Sequence, residues 1–130
     1  MPLRLTQHQA KAYGLAISKP QTVSPRQRYG GYASSWEREY ADILETQRAH
    51  RELRRWQYES ITLRLAIKAT YTPDFLIENW DGSLEFHEVK GFQRPVGMLK
   101  LKVAARQFLM FRFLLVTKAN GLWDLQDMRS

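Results

Sequence analysis

The stretch 71–91 constrains the fold more than any other part of the chain. Two runs of apolar, β-forming residues flank the segment 79–83, Asn-Trp-Asp-Gly-Ser, which has the composition of a tight turn. This pattern predicts a β-hairpin with strands over about 71–78 and 84–90. Pro73 has no N–H group to give to a sheet, which suits the start of a strand or an edge.

The position of the turn fixes the register of this hairpin. If the strands pair symmetrically about Asp81, Leu76 lies opposite Phe86 and Asp74 lies opposite Glu88. Directly opposed residues share one face of a sheet, with Cβ atoms about 5 Å apart. Two carboxylates at that spacing repel each other unless a cation lies between them.

Lys90 follows Glu88 by two strand positions and therefore lies on the same face. The hairpin thus presents Asp74, Glu88 and Lys90 from one surface. Carboxylate oxygens suit Mg²⁺ or Mn²⁺, and an ammonium group beside them suits a phosphate or an attacking water. The alternative is a pair of exposed strand acids with Lys90 as a simple partner of Glu88. We favour the metal site because acids are unusual in strands.

The charge distribution indicates an anionic partner, nucleic acid first. The chain carries 20 Lys and Arg against 13 Asp and Glu, a net charge of +7, and no acid occurs in 1–36 or 89–123. Candidate DNA contacts are Arg26, Arg28, Arg94, Lys100, Lys102 and Arg106. The alternative is that these side chains form a solvated face and only keep the fold in solution.

The N-terminal part, 1–33, is predicted to be an accessory segment, and 34–130 a single domain. A short helix is expected over about 7–13, followed by a flexible basic arm over 19–31 that is rich in Pro, Gly, Ser and Arg. Such an arm could wrap a DNA backbone. It could equally be a solvated tail or a dimer contact.

An amphipathic helix is predicted over about 34–50. Ser34 and Glu37 have the spacing of a capping box. Glu37 also falls within the arc of apolar residues that includes Trp36, Tyr40 and Leu44, so it should point inwards. A buried carboxylate needs a partner, which a metal or Lys90 would supply. The alternative is that Glu37 only completes the cap.

The remaining pattern predicts an α/β domain built on one mixed sheet of four or five strands. The further expected elements are a strand at 61–68, a helix at 96–110, a strand at 112–117 and an edge strand at 122–128. The strand–helix–strand order from 84 to 117 predicts parallel neighbours. Glu59, beside the first of these strands, is one further and weaker candidate acid for the site.

Several classes of protein are disfavoured. The chain has no cysteine, which removes disulfides and thiolate zinc sites and fits a reducing cytoplasm. It has no long apolar run and no signal-peptide pattern, so we expect a cytoplasmic protein without a membrane span. His8, His50 and His87 show no metal-binding spacing, and His87 should point away from Glu88.

These features together resemble the PD-(D/E)XK nuclease superfamily and, more narrowly, a family of small phage and prophage nucleases. The matching pieces are the Ser-Ser-Trp-Glu opening of the first long helix, Tyr-Thr-Pro-Asp-Phe at 71–75 and Glu-Val-Lys-Gly at 88–91, followed by a basic helix and an apolar strand. The resemblance implies a restriction-endonuclease-like core in the order α-β-β-β-α-β. For a phage protein it also implies the host cytoplasm.

The resemblance also implies a role for each site residue. Asp74 would be the central metal ligand, and Glu88 a second ligand, with the backbone carbonyl of Val89 as a third. Lys90 would orient or activate the attacking water, and Glu37 would lie near the metal. The implied cofactor is Mg²⁺, with Mn²⁺ as a substitute.

The sequence therefore predicts a Mg²⁺-dependent DNA endonuclease. A chain with one site would cut both strands most simply as a homodimer. Holliday-junction resolution is the alternative within this class. A non-catalytic DNA-binding or packaging factor and an RNA-directed enzyme are the alternatives outside it.

Overall fold

The computed structural model describes residues 15–17, 29–90 and 95–129. The helices are α1 (Ser35–Ala49) and α2 (Pro95–Gln107). The strands are β1 (Leu15–Ile17), β2 (Arg55–Tyr58), β3 (Ile61–Ala66), β4 (Ala69–Tyr71), β5 (Phe75–Glu78), β6 (Leu84–Val89), β7 (Arg112–Ala119) and β8 (Leu122–Asp127). Neither of these helices is long and apolar enough to cross a membrane.

The main sheet is mixed and has five strands in the order β2-β5-β6-β7-β8. Strand β6 pairs with β7 in parallel, and the other three pairings are antiparallel. The predicted α/β class and mixed sheet are therefore confirmed. The predicted hairpin register is confirmed as well, since Leu76 pairs with Phe86 and Glu78 with Leu84.

The strand expected at 61–68 was wrongly placed in this sheet. It ends at Ala66, and Lys68 adopts a left-handed backbone conformation with φ of 60° that turns the chain back. Strands β3 and β4 consequently form their own hairpin, which β1 extends into a second, three-stranded sheet. One edge of the main sheet is β2, whose Arg-Trp-Gln-Tyr alternation was not predicted to be a strand, and the other edge is β8.

Two element boundaries also differ from prediction. The strand expected over 71–78 is divided, because β4 ends at Tyr71 and β5 begins only after Pro73, which has no N–H to donate. Helix α2 ends at Gln107 instead of residue 110. The Arg129 guanidinium donates hydrogen bonds to backbone carbonyls just beyond that end, at Phe108 and Phe111.

The two helices cover opposite faces of the main sheet. Alternate residues of β5 point in opposite directions, so Phe75 packs with Tyr40 and Leu44 of α1, whereas Leu76 packs with Leu101 of α2. Glu88 shares the α2 face with Leu76, and His87 points to the α1 face. The predicted opposite orientation of Glu88 and His87 is confirmed.

The N-terminal predictions fall largely outside the described residues. The helix at 7–13, most of the arm at 19–31, and the candidate DNA contacts Arg26, Arg28 and Arg94 all lie there. Within the described part, β1 pairs with β3 in antiparallel fashion, with Leu15 opposite Leu63.

Candidate active site

Asp74 and Glu88 lie side by side at the end of the central hairpin, as predicted. Asp74 directly precedes β5, and its N–H donates to Glu88 Oε1 at 3.1 Å. In return, Asp74 Oδ2 accepts the N–H of Val89 at 2.8 Å. These reciprocal bonds hold the two acids side by side although their ionised forms would repel each other.

Lys90 lies on the same surface. Its Nζ is 3.0 Å from Glu88 Oε2, and its backbone N–H donates to Val116 O, which extends the parallel pairing with β7. The ammonium group also reaches the first turn of α2. A Cβ atom on Gly97 would lie 3.1 Å from Lys90 Nζ, so the glycine leaves room for this side chain.

Glu37 points inwards from the first turn of α1 and is only 7% exposed. Tyr58 donates its hydroxyl hydrogen to Glu37 Oε1 at 2.7 Å, and the Ser34 hydroxyl donates to Oε2 at 2.8 Å. Ser34 also accepts the N–H of Glu37, which is the N-terminal cap of the helix. Both roles considered for Glu37, the cap and the inward carboxylate, are therefore present together.

Glu59 joins this group. Carboxylate oxygens of Glu37, Glu59 and Asp74 all lie within 4.8 Å of one another. Glu59 follows β2 directly, and its N–H donates to Asp74 O at 2.8 Å. The pairing of Tyr58 with Phe75, extended by one residue, places Glu59 opposite Asp74.

Sequence reasoning gave Glu59 little weight because it did not predict β2. The signal was the alternation of Trp56 and Tyr58 with polar residues. Pairing that strand with the hairpin would have brought Glu59 to Asp74. We call Glu37, Glu59, Asp74 and Glu88 the carboxylate cluster.

The electrostatics of the carboxylate cluster favour a cation. Burial raises the pKa of Asp74 well above its ordinary value, and the negative charges of Glu88 and Glu37 raise it further. Burial also raises the pKa of Glu88, although the Lys90 ammonium offsets part of this effect. The pKa of the Tyr71 hydroxyl is raised by burial and by the charge of Glu88. In the described part of the chain, too little positive charge faces these acids for all of them to ionise at low cost.

The residues present fit a divalent metal. The donor atoms of Glu37, Glu59 and Asp74 are hard carboxylate oxygens, which Mg²⁺ and Mn²⁺ prefer, and they converge from three separate segments of chain. A bound cation would supply the positive charge that Asp74 lacks and so favour its ionised form. The residues that could hold it are those of the carboxylate cluster.

The candidate DNA contacts within the described residues lie on α2. Lys102 and Arg106 are exposed and one helical turn apart. Lys100 is half-buried, and its Nζ donates to Thr70 O at 2.7 Å, which fastens α2 to the second sheet. Lys102 and Arg106 are thus available to an external polyanion, whereas Lys100 also has a structural role.

A second polar group occupies the other end of the β5–β6 hairpin. The Tyr40 hydroxyl lies 2.6 Å from His87 Nδ1, His87 Nε2 lies 2.9 Å from Glu85 Oε1, and Asn79 donates to Glu85 Oε2 at 2.7 Å. Arg112 approaches the same carboxylate at 3.7 Å. We call these five residues the paired network. His87 therefore lies buried within this network, on the face opposite Glu88.

Comparison with known proteins adds no assignment. No protein-family model, no curated protein and no solved structure matches the chain. The case for a function accordingly rests on the carboxylate cluster, on Lys90 and on the basic surface of α2.

Proposed function

We propose that the protein is a metal-dependent DNA endonuclease that hydrolyses phosphodiester bonds at the carboxylate cluster. The observation that carries this proposal is the convergence of Asp74, Glu88 and Lys90 on one surface, with Lys90 Nζ 3.0 Å from Glu88 and with Glu37 supplied from α1. Acids with strongly perturbed pKa values are candidates for a functional site, and a divalent metal that they hold can act on a phosphate.

The order of elements around the cluster supports the same proposal. The two helices and the first four strands of the main sheet follow one another along the chain in the order α1, β2, β5, β6, α2 and β7, which is α-β-β-β-α-β. The β3–β4 hairpin is inserted between β2 and β5. This order is the one implied by the resemblance to PD-(D/E)XK nucleases.

The mechanism follows from the side chains. A bound Mg²⁺ would lower the pKa of a coordinated water and neutralise charge on the phosphate. Asp74 and Glu88 would hold the cation and stay ionised. The Lys90 ammonium would donate hydrogen bonds to the phosphate or the attacking water and stabilise the negative charge of the transition state. Glu88 positions that ammonium through their ion pair.

The charge of the chain supports DNA as the substrate. A net charge of +7 favours a polyanion, and the exposed Lys102 and Arg106 extend a positive surface along α2. A homodimer would place two sites on one duplex or one junction.

A cleavage assay tests the proposal. Supercoiled plasmid, linear duplex, single strand and a four-way junction would each be incubated with Mg²⁺ or Mn²⁺. We expect cleavage of at least one DNA, and Glu88→Gln should abolish cleavage while DNA binding is retained. Glu52→Gln, an exposed acid outside the cluster, is the matched control. Cuts only in the junction would define a resolvase.

Two outcomes would overturn the proposal. Unchanged cleavage in both Asp74→Asn and Glu88→Gln would remove the site assignment. No cleavage of any DNA by the wild-type protein, with tight binding retained, would favour a non-catalytic accessory factor.

The DNA surface has a separate test. Replacing Lys102 and Arg106 with Gln should lower the slope of log affinity against log salt by about 2, because each phosphate contact contributes about 0.9. A slope equal to that of the wild type would show that both side chains are merely solvated.

A further inference from the structure

Glu37 lies beside Asp74 although their ionised forms repel each other. Carboxylate oxygens of the two side chains lie within 4.8 Å of each other. The Glu37 carboxylate accepts hydrogen bonds in the described part of the chain from two neutral hydroxyl groups, those of Tyr58 and Ser34. Hydrogen bonds from uncharged donors therefore keep Glu37 at a place that like charge disfavours.

The direction of the hydrogen bond from Tyr58 follows from a second partner of its hydroxyl group. The Ala33 N–H, which can only donate, lies 3.2 Å from the Tyr58 hydroxyl oxygen. The single hydroxyl hydrogen of Tyr58 is therefore directed to Glu37 Oε1, at 2.7 Å. Ser34 is arranged in the same way, because its oxygen accepts the Glu37 N–H at 3.2 Å and its hydrogen is directed to Oε2 at 2.8 Å. Both oxygens of Glu37 thus accept a hydrogen bond, which is the pattern of an ionised carboxylate.

The main sheet and an aromatic stack fix the position of Tyr58. Its ring packs against Tyr32, with centroids 4.6 Å apart, and against Phe75, with centroids 5.3 Å apart. Strand β2 ends at Tyr58, which pairs with Phe75, the residue that follows Asp74. The strand pairing that places Asp74 therefore also places the hydroxyl group that holds Glu37.

We infer that Tyr58 is a positioning residue of the proposed active site, which holds Glu37 beside Asp74 in the orientation that the cation requires. A neutral donor orients the carboxylate without adding a positive charge that would compete with the cation. A carboxylate has about four lone pairs, so two hydrogen bonds leave others for a further partner. This assignment rests on the proposed function for its catalytic meaning, and it involves a residue that the PD…E-V-K pattern does not contain.

Tyr58→Phe tests the inference, because it keeps the ring and removes only the hydroxyl group. We expect it to lower kcat for DNA cleavage and the affinity for Mn²⁺ by about tenfold each, as is usual when a group that orients a metal ligand is lost. The affinity would be measured by titrating the full chain with Mn²⁺ and recording the electron paramagnetic resonance of the free ion. KM for DNA should stay within about twofold.

Tyr32→Phe is the matched control. The ring of Tyr32 belongs to the same aromatic stack, but its hydroxyl group lies near the charges of Asp42 and Glu45 instead. This variant should have the kcat and the Mn²⁺ affinity of the wild type. Urea unfolding of each variant without metal would confirm that the fold is intact. A Tyr58→Phe protein that is less stable but keeps wild-type kcat and Mn²⁺ affinity would overturn the inference, because its hydroxyl would then only stabilise the fold.

A double-mutant cycle shows whether Tyr58 acts through Glu37. In a Glu37→Ala background, Tyr58→Phe should change kcat and Mn²⁺ affinity by less than about twofold, because no carboxylate remains to be positioned. A loss in the double variant equal to the product of the two single losses would mean that the two side chains act independently, and would overturn the inference.

The outcomes separate this inference from the proposed function. Wild-type Mn²⁺ affinity in Tyr58→Phe, with weakened binding in Asp74→Asn, would overturn the role of Tyr58 and leave the nuclease proposal standing. A coupled loss of Mn²⁺ affinity in the cycle, in a protein that cuts no DNA, would keep the role of Tyr58 and overturn the nuclease proposal. Wild-type affinity in both Tyr58→Phe and Asp74→Asn would remove the metal site and both proposals.

Discussion

The two ends of the β5–β6 hairpin carry buried or half-buried acids whose pKa values are shifted in opposite directions. At one end, Asp74 and Glu88 face other carboxylates, and burial raises the pKa of each. At the other end, Glu85 accepts hydrogen bonds from its neighbours, and the bond to His87 is the largest cause of a lowered pKa, which prevails over the effect of burial. The same pair of strands thus holds two acids whose charge Lys90 balances only in part and one acid whose charge its neighbours balance.

The difference shows at which end of the hairpin the fold itself balances the charge of the acid. Glu85 has a histidine, an amide and a guanidinium around it, so its charge is balanced within the fold. Asp74 and Glu88, by contrast, share the ammonium of Lys90, and burial still raises the pKa of both. A structural network satisfies its own polar groups, whereas a binding site leaves charge for its ligand.

The largest expected difference between the two ends is in the effect of removing the cation on DNA cleavage. Lys90→Gln should reduce DNA cleavage by about 10²- to 10³-fold, because transition-state charge loses its positive partner. Arg112→Gln should leave the cleavage rate within about twofold, since Arg112 pairs with Asp127 and Glu85 far from the cluster. Single-turnover kinetics at saturating Mg²⁺ would measure both. Equal losses in the two variants would abolish the functional contrast.

Converting an acid to its amide should change stability in opposite directions at the two ends. Glu85→Gln should lose about 1–3 kcal/mol, because both oxygens accept hydrogen bonds and an amide nitrogen would face one of the donors. Asp74→Asn should gain about 1 kcal/mol without metal, because it removes a buried charge and can still accept from Val89. Urea unfolding in the presence of a chelator would measure both changes.

The opposite effects of Asp74 and Glu85 on stability should also be visible when the free energy of unfolding is measured against pH. The pKa of Asp74 is higher in the folded than in the unfolded protein, so the folded state holds more protons between the two values. Stability without metal should therefore fall as the pH rises from the ordinary value of 3.8 through the raised one. Asp74→Asn should flatten this part of the curve. Glu85, with its lowered pKa, should lose its stabilising effect only as the pH falls through that lowered value. An unchanged slope in Asp74→Asn would show that Asp74 titrates normally.

The sequence predicted the hairpin because local and pairwise rules agree there. A tight turn defines a single register, and that register alone brings Asp74 to Glu88. The cap of α1 and the inward direction of Glu37 were predictable for the same reason, since both depend on residues within one turn. Features that depend on the spacing of residues within one hairpin or one helical turn can therefore be predicted from the sequence.

The parts that the sequence did not predict depend on competition between elements. The clean alternation of β3 suggested a strand of the main sheet, but the turn at Lys68 paired it with β4 instead. Strand β2 is only four residues long and half-buried, so its pattern was weak. The place of Glu59 in the cluster and the contact between Tyr40 and His87 follow from such distant pairings. The weak alternation of Trp56 and Tyr58 is the only local sign of the first, and no local pattern indicates the second.

The smallest expected effect concerns the mobility of the Lys90 ammonium group. Gly97 lies in the first turn of α2, where a methyl group would come 3.1 Å from Lys90 Nζ. Gly97→Ala should stabilise the helix by up to about 1 kcal/mol. The end of a lysine side chain is flexible, so the ammonium should move by a few tenths of an ångström and cleavage should fall by only about two- to threefold.

The size of the loss of cleavage in Gly97→Ala shows whether the Lys90 ammonium can move or must occupy one position. At the other end of the hairpin, Asp127 and Glu85 hold Arg112 from two sides. Lys90 pairs with Glu88 and has a glycine beside it. If Lys90 adjusts to the substrate, Gly97→Ala lowers the cleavage rate slightly and leaves Mn²⁺ affinity unchanged. A loss as large as that of Lys90→Gln would instead mean that the ammonium must occupy one fixed position, and that the glycine is part of the catalytic site.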